Sequence, residues 1–169
     1  QTFARTLQAD DHRLWCQGLE EFAQTQIAEK GDYPLRQAQI TAWTGLADQR
    51  VGLIQGPPGT GKTYVLSWMA LGYLQARRAA GLPCRILVNA FTLNAIANLL
   101  DAVQSKSTRY LPSPPDVLYL GSQPGGGLNP AIRHISFRQR DATAEAWEAL
   151  ESDHLIVGCS VWALNKLLR

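Results

Sequence analysis

Residues 54–65, IQGPPGTGKTYV, decide the fold. They hold the pattern G-x-x-x-x-G-K-T from Gly56 to Thr63, and each residue type there has a physical task. Gly56, Gly59 and Gly61 lack a Cβ, so the backbone can wrap closely around phosphate oxygens with successive N–H groups pointing inward. Pro57 and Pro58 stiffen the loop entrance by fixing φ. Lys62 is a mobile charge with the reach to meet β- and γ-phosphates, and the Thr63 hydroxyl is placed to ligate Mg²⁺. Thr60 and Tyr64 complete the stretch expected to hold the nucleotide. A helix opening at this point adds the positive end of its dipole.

The pattern carries weight only between a strand and a helix. VGLIQ, residues 51–55, reads as a short apolar strand. Residues 61–80 read as a helix whose stripe is Val65, Leu66, Met69, Tyr73 and Ala76, with Gly81 and Pro83 as its stop. The alternation continues outward. Residues 10–30 predict a helix with Leu14, Leu19, Phe22 and Ile27 at helical spacing, and GDYP at 31–34 breaks it. A second helix covers 35–47 with Leu35, Ile40, Trp43 and Leu46. Strands are expected at 84–91, 116–122 and 154–160, and helices at 93–105, 139–152 and from Val161 onward. QPGGGLNP at 123–130 reads as a flexible loop. The fold class is therefore α/β, a mostly parallel sheet with helices on both faces.

Composition excludes several classes. At 169 residues, 46% hydrophobic and 18% charged, the chain suits one globular domain with a real core. A net charge of +2 is too small to argue for nucleic acid by itself. Cys16, Cys84 and Cys159 are far apart and form no C-x-x-C pair, so neither zinc nor a disulfide framework is indicated. A reduced, cytoplasmic compartment is expected. No apolar run reaches the roughly 18 residues of a membrane span, so no membrane partner is expected. The chain starts at Gln1 without methionine and is read as a piece of something longer.

Gln39 lies 17 residues before Gly56, in LRQAQITAW. A glutamine amide can pair bidentately with the N6 and N7 edge of adenine. A lone glutamine on a helix is ordinarily solvated, but three segments stand together here. LRQAQITAW, LIQGPPGTGKT and ILVNAFTLNAIANLL, in this order, resemble superfamily 1 helicases of the 1B branch. That branch includes the RNA helicase of nonsense-mediated decay and the replication-repair nuclease-helicases. The resemblance covers residues 35–104 well and 116–168 loosely.

The family's L-x-x-x-Q-x-x-A helix reads adenine, and Leu35, Gln39 and Ala42 match it. The loop matches at every position. In the segment resembling motif Ia, Phe91, Thr92, Ala95 and Asn98 match, while Leu93 stands for the usual histidine and Ala97 for the usual aspartate. VGCSVWAL, residues 157–164, resembles the stretch before the Walker B strand, with Cys159–Ser160 where a Thr-Cys or Thr-Thr pair often stands. The resemblance implies a RecA-like P-loop NTPase domain over 34–169, present in part, with a short insertion at about 123–152; the residues before it match no part of the family and are read as a helical stalk or linker at 1–33. It implies ATP and Mg²⁺ as cofactors. It implies single-stranded DNA or RNA as partner, with Phe91 as base neighbour and Thr92 and Ser160 as phosphate contacts. Two of the three have a plain alternative: Thr92 as a helix cap, Phe91 as core.

Arg133, His134, Arg138 and Arg140 form a basic cluster that suits either a rim for the strand or a solvated face. Trp147 and Trp162 read as packing groups. His12 and His154 have no metal-ligand partners at useful spacing. An Asp-Glu pair after an apolar strand, needed to hold Mg²⁺ and orient water, follows none of the predicted strands. The resemblance places it after Arg169 with a second RecA-like domain, so turnover by these residues alone is expected to be weak. Two rival classes stay open: a non-motor P-loop NTPase, such as a nucleotide switch or a kinase, and a scaffold module with a vestigial loop.

Overall fold

HLIVGC, residues 154–159, is apolar at five successive positions after its histidine, as a strand buried on both faces must be. In the computed structural model it is the β4 strand of a sheet built from residues 84–159. The structure describes residues 9–20, 25, 27–29, 33–46, 51–138 and 141–168. The chain divides into two units, residues 1–82 and 83–169.

The second unit holds β1 (Cys84–Asn89), α5 (Leu93–Tyr110), β2 (Asp116–Leu120), β3 (Arg133–Ile135), α6 (Ala142–Ala149), β4 (His154–Cys159) and α7 (Val161–Leu167). The strand order is β1-β4-β2-β3, and every pairing is parallel. Alternation along β4 sorts its neighbours. Leu155, Val157 and Cys159 join Leu118, Leu120 and Ile135 in one cluster with Ala142 and Ala146 of α6 and Ala163 and Leu167 of α7. Gly158 faces the other way. A Cβ there would lie 2.6 Å from Ile96 and from Leu100, so α5 packs on that face at a distance only glycine permits. The sheet is thus α/β and parallel, with helices on both faces.

In the first unit the elements are α1 (Ala9–Gln17), α2 (Ile27–Glu29), α3 (Gln37–Leu46) and α4 (Lys62–Ala79). Residues expected to form a stalk or linker therefore contribute helices to this unit. α1 packs on α4 and is hydrogen-bonded to α3. The indole N–H of Trp15 donates to the Trp43 carbonyl at 2.9 Å, and that of Trp43 donates to the Trp15 carbonyl at 3.3 Å. Just beyond α1, Gly18 meets Gly72: a Cβ on Gly72 would lie 2.7 Å from the Gly18 carbonyl oxygen and 2.8 Å from the Trp43 ring. α4 ends in a Schellman turn, with Gly81 at φ +68 and the Leu82 N–H bonded to the Arg77 carbonyl at 2.9 Å.

Several expectations are corrected. Residues 51–55 form no strand, and Val51 and Leu53 are exposed at 88% each. A lone apolar run cannot make a strand without a ladder partner, and every strand among the described residues lies between 84 and 159. The buried face of α4 is wider than the predicted stripe: Trp68, Leu71 and Leu74 are fully buried, whereas Leu66 is exposed. The helix expected at 10–30 is met wherever it is described, residues 10–20, 25 and 27–29 being helical, while Phe22, Gly31 and Asp32 lie outside the described residues. α5 runs on to Tyr110, and α6 is shorter than its predicted 139–152. β3 arises where only a basic cluster was expected. Its three residues are too few for a periodic signal.

The glycine pair gives a test of the first unit. Gly72→Ala is expected to destabilise by about 2 kcal/mol, since overpacking at a backbone contact has no flexible neighbour to yield. Gly45→Ala, in α3 with nothing within 4 Å of its Cβ, is expected to be neutral or mildly stabilising. Urea unfolding followed by circular dichroism checks both.

Candidate functional site

The loop from Gly56 to Thr63 closes on itself through Lys62. Its Nζ donates to the Gly56 carbonyl at 2.6 Å and to the Pro57 carbonyl at 2.9 Å. The Thr60 hydroxyl donates to the same Pro57 carbonyl at 2.8 Å. Gly59 and Gly61 both sit at φ +80, a left-handed conformation that side chains resist. At Gly56 an added Cβ would lie 2.8 Å from the Thr60 hydroxyl oxygen.

α4 starts directly after Gly61. No side chain caps its N-terminus, and no acidic residue stands in its first turn. The first-turn N–H groups are thus left to an anion. This donor set fits a nucleotide phosphate: backbone N–H groups, one lysine, and the exposed Thr63 at the first turn. Thr63 is the residue of the set suited to Mg²⁺.

Gln39 is brought to the same place. Its Nε2 donates to the Thr60 carbonyl at 3.3 Å, and its Oε1 accepts from the Arg36 N–H at 2.9 Å. A Cβ on Gly61 would lie 2.9 Å from that Nε2, so Gly61 also makes room for the glutamine. The amide keeps one proton and one lone pair unused by these two bonds. Around it lies a cavity of about 170 Å³, lined by Tyr33, Pro34, Arg36, Gln39, Gly59, Thr60, Gly61 and Tyr64. Tyr64 donates its hydroxyl to the Tyr33 carbonyl, and its ring stands edge-on to Trp68 at 6.2 Å. Tyr33, Pro34 and Arg36 were missed in the sequence, since their only signal is proximity to Gln39. Trp43 and Trp68 have fully buried side chains.

The second unit has a separate groove of about 510 Å³ at the C-terminal ends of its strands, where parallel sheets carry their ligands. Phe91 and Ser160 line it. Phe91 is fully exposed, which removes its reading as core. Thr92 and Ser160 both cap helices: their hydroxyl oxygens accept from the Ala95 and Ala163 N–H groups at 3.3 and 3.2 Å. Each hydroxyl still has its proton to donate.

Among the described residues the basic cluster is not assembled as one rim. Arg133 pairs with Glu145 at 3.1 Å, the His134 ring bonds the Gly121 carbonyl at 2.8 Å, and Arg140 lies outside the described residues. Of the three that are described, Arg138 lines the groove and Arg133 and His134 do not. Trp147 and Trp162 are not packing groups, being exposed at 49% and 80%. Beneath the groove, burial raises the Cys159 thiol, which keeps it protonated and unreactive near neutral pH. Burial and the neighbouring Cys159 likewise raise the Tyr119 hydroxyl. No helix among the described residues is long and apolar enough to cross a membrane.

The model of an AAA domain family matches residues 34–153. No curated protein and no solved structure is similar enough to this chain to match it. The matched span contains Gln39, the whole phosphate loop and the sheet through β3, so the match and the geometry rest on the same residues. The family implies use of a nucleotide, usually with Mg²⁺. The chain belongs to this AAA domain family, whose domains are typical of superfamily 1 helicase-like P-loop NTPases.

Proposed function

We propose that the chain is the nucleotide-binding front of the first motor domain of a superfamily 1B helicase. Residues 34–169 make up its RecA-like part and residues 1–33 its helical stalk. The parent protein couples ATP hydrolysis to movement along single-stranded DNA or RNA. One observation carries the reading: the Gln39 amide bonded to the phosphate loop at Thr60. A phosphate loop alone serves switches, kinases and motors alike. A glutamine fixed beside it, with one donor and one acceptor to spare, is what reading adenine requires.

Each residue then has a task. The loop from Gly56 to Gly61 wraps the phosphates with its backbone, helped by the uncapped start of α4. Pro57 and Pro58 hold the entrance. Lys62 leaves its two loop carbonyls for phosphate oxygens, exchanging neutral acceptors for charged ones. Thr63 holds Mg²⁺, Tyr64 and Thr60 border the base-side cavity, and Gln39 selects adenine. A bound triphosphate supplies the bond to be hydrolysed. On the second unit, Phe91 neighbours a base and Thr92 and Ser160 donate to phosphates of the strand.

Calorimetric titration with ATP and GTP in Mg²⁺ tests the nucleotide side. Lys62→Ala is expected to weaken ATP about 10- to 100-fold, the worth of hydrogen bonds from a charged donor. Gln39→Ala is expected to erase a preference of ATP over GTP that is itself about 5- to 100-fold. Equal affinity for both nucleotides, unchanged in Gln39→Ala, would leave a generic phosphate-loop protein. Thr63→Ala is expected to abolish the gain in ATP affinity that Mg²⁺ gives while leaving metal-free binding in place. An unchanged Mg²⁺ dependence would remove Thr63 from the metal site.

A further inference from the structure

α7 buries one face and offers another. Ala163 and Leu167 enter the cluster beneath the sheet, while Trp162 and Lys166, four residues apart, share the outer face. Trp162 is exposed at 80%, and Phe91, which follows β1, is fully exposed. Both border the groove at the strand ends. An indole left in water forgoes a large burial gain, so its position calls for an occupant.

The lining says which occupant. Arg138 and Lys166 border the groove, and among the described residues no carboxylate does. Neither cation forms an ion pair among the described residues. Two aromatic faces beside unpaired cations form a stacking platform with phosphate ligands, the chemistry of single-strand binding. An apolar protein partner would have no use for the cations. The floor is held firm: Tyr119 donates to the Ser122 carbonyl at 2.9 Å, and Asn89 donates to the Cys159 carbonyl at 2.7 Å. Its volume of about 510 Å³ lies within the range of small-ligand sites.

We infer that Trp162 is a base-stacking platform for single-stranded nucleic acid, with Arg138 and Lys166 on the flanking phosphates. The inference rests on the single-strand reading above and adds three residues to it. Trp162 fixes a base, not just the backbone, so binding at this groove requires an unstacked base. Arg138 and Lys166 supply the salt-dependent part.

The test is binding of labelled oligo-dT and oligo-rU to the full chain, followed by fluorescence anisotropy. Matched abasic strands and duplex serve as comparisons. Trp162→Ala is expected to lose about 5- to 100-fold in affinity for base-bearing strands and to leave abasic strands unchanged. Trp162→Phe is expected to restore most of the loss. Arg138→Ala and Lys166→Ala are each expected to flatten the salt dependence by about 0.7 in log–log slope. Ultraviolet cross-linking of the wild-type complex is expected to map to Trp162 or Phe91. Wild-type strand binding that Trp162→Ala leaves intact, or cross-links that map elsewhere, would overturn the stacking role while the motor reading stands. Duplex bound as well as single strand would also overturn it. A wild-type chain that binds no strand would remove both.

Discussion

A lysine ammonium held between two backbone carbonyls is the constraint on which the site depends. Lys62 ties the end of the loop back to Gly56 and Pro57 at its start. The ring closes only because Gly59 and Gly61 take left-handed conformations that other residues resist. Closure also sets where α4 begins, and so where its uncapped N–H groups point. Gln39 depends on the same ring, since its amide is bonded to Thr60 and lies 2.9 Å from where a Cβ on Gly61 would be. The glycines thus serve the loop's conformation and make room for Gln39 at once.

The second unit obeys a different constraint. β4 is buried on both faces, and its alternation assigns α5 to one side and α6 and α7 to the other. Parallel strands deliver their C-terminal ends to one edge, so residues just after β1, β2, β3 and β4 gather there. Phe91, Ser122, Arg138 and Ser160 are distant in sequence but line one groove for that reason. Thr92 and Ser160 each use a hydroxyl oxygen to cap a helix, which leaves the hydroxyl proton outside that bond.

Legibility followed the range of the interaction that fixes each residue. The phosphate loop was readable because its chemistry is local and each residue type is forced. The strands at 116–122 and 154–160 were readable because double-sided burial leaves a continuous apolar run, and the strand at 84–91 was readable from its apolar residue types although β1 is an edge strand with Arg85, Leu87 and Asn89 exposed. The placement of Gln39 beside the loop was legible only through the resemblance, since nothing local separates it from a solvated glutamine. Residues 51–55 misled because apolar character signals a strand only where a neighbour pairs with it. Trp162 misled because an aromatic near the core is ordinarily packed. Its direction is set by the burial of Ala163 and Leu167 beside it, which residue type alone does not reveal. β3 and the cavity residues Tyr33, Pro34 and Arg36 depend on tertiary placement and left no periodic trace.

The most direct measurement is a crystal structure of the chain grown with Mg²⁺ and a non-hydrolysable ATP analogue. The account predicts Lys62 Nζ moved from the Gly56 and Pro57 carbonyls onto phosphate oxygens, Thr63 Oγ1 on the metal, and the adenine N6 and N7 edge against Gln39. A nucleotide bound elsewhere, or bound at the loop with adenine turned away from Gln39, would contradict it.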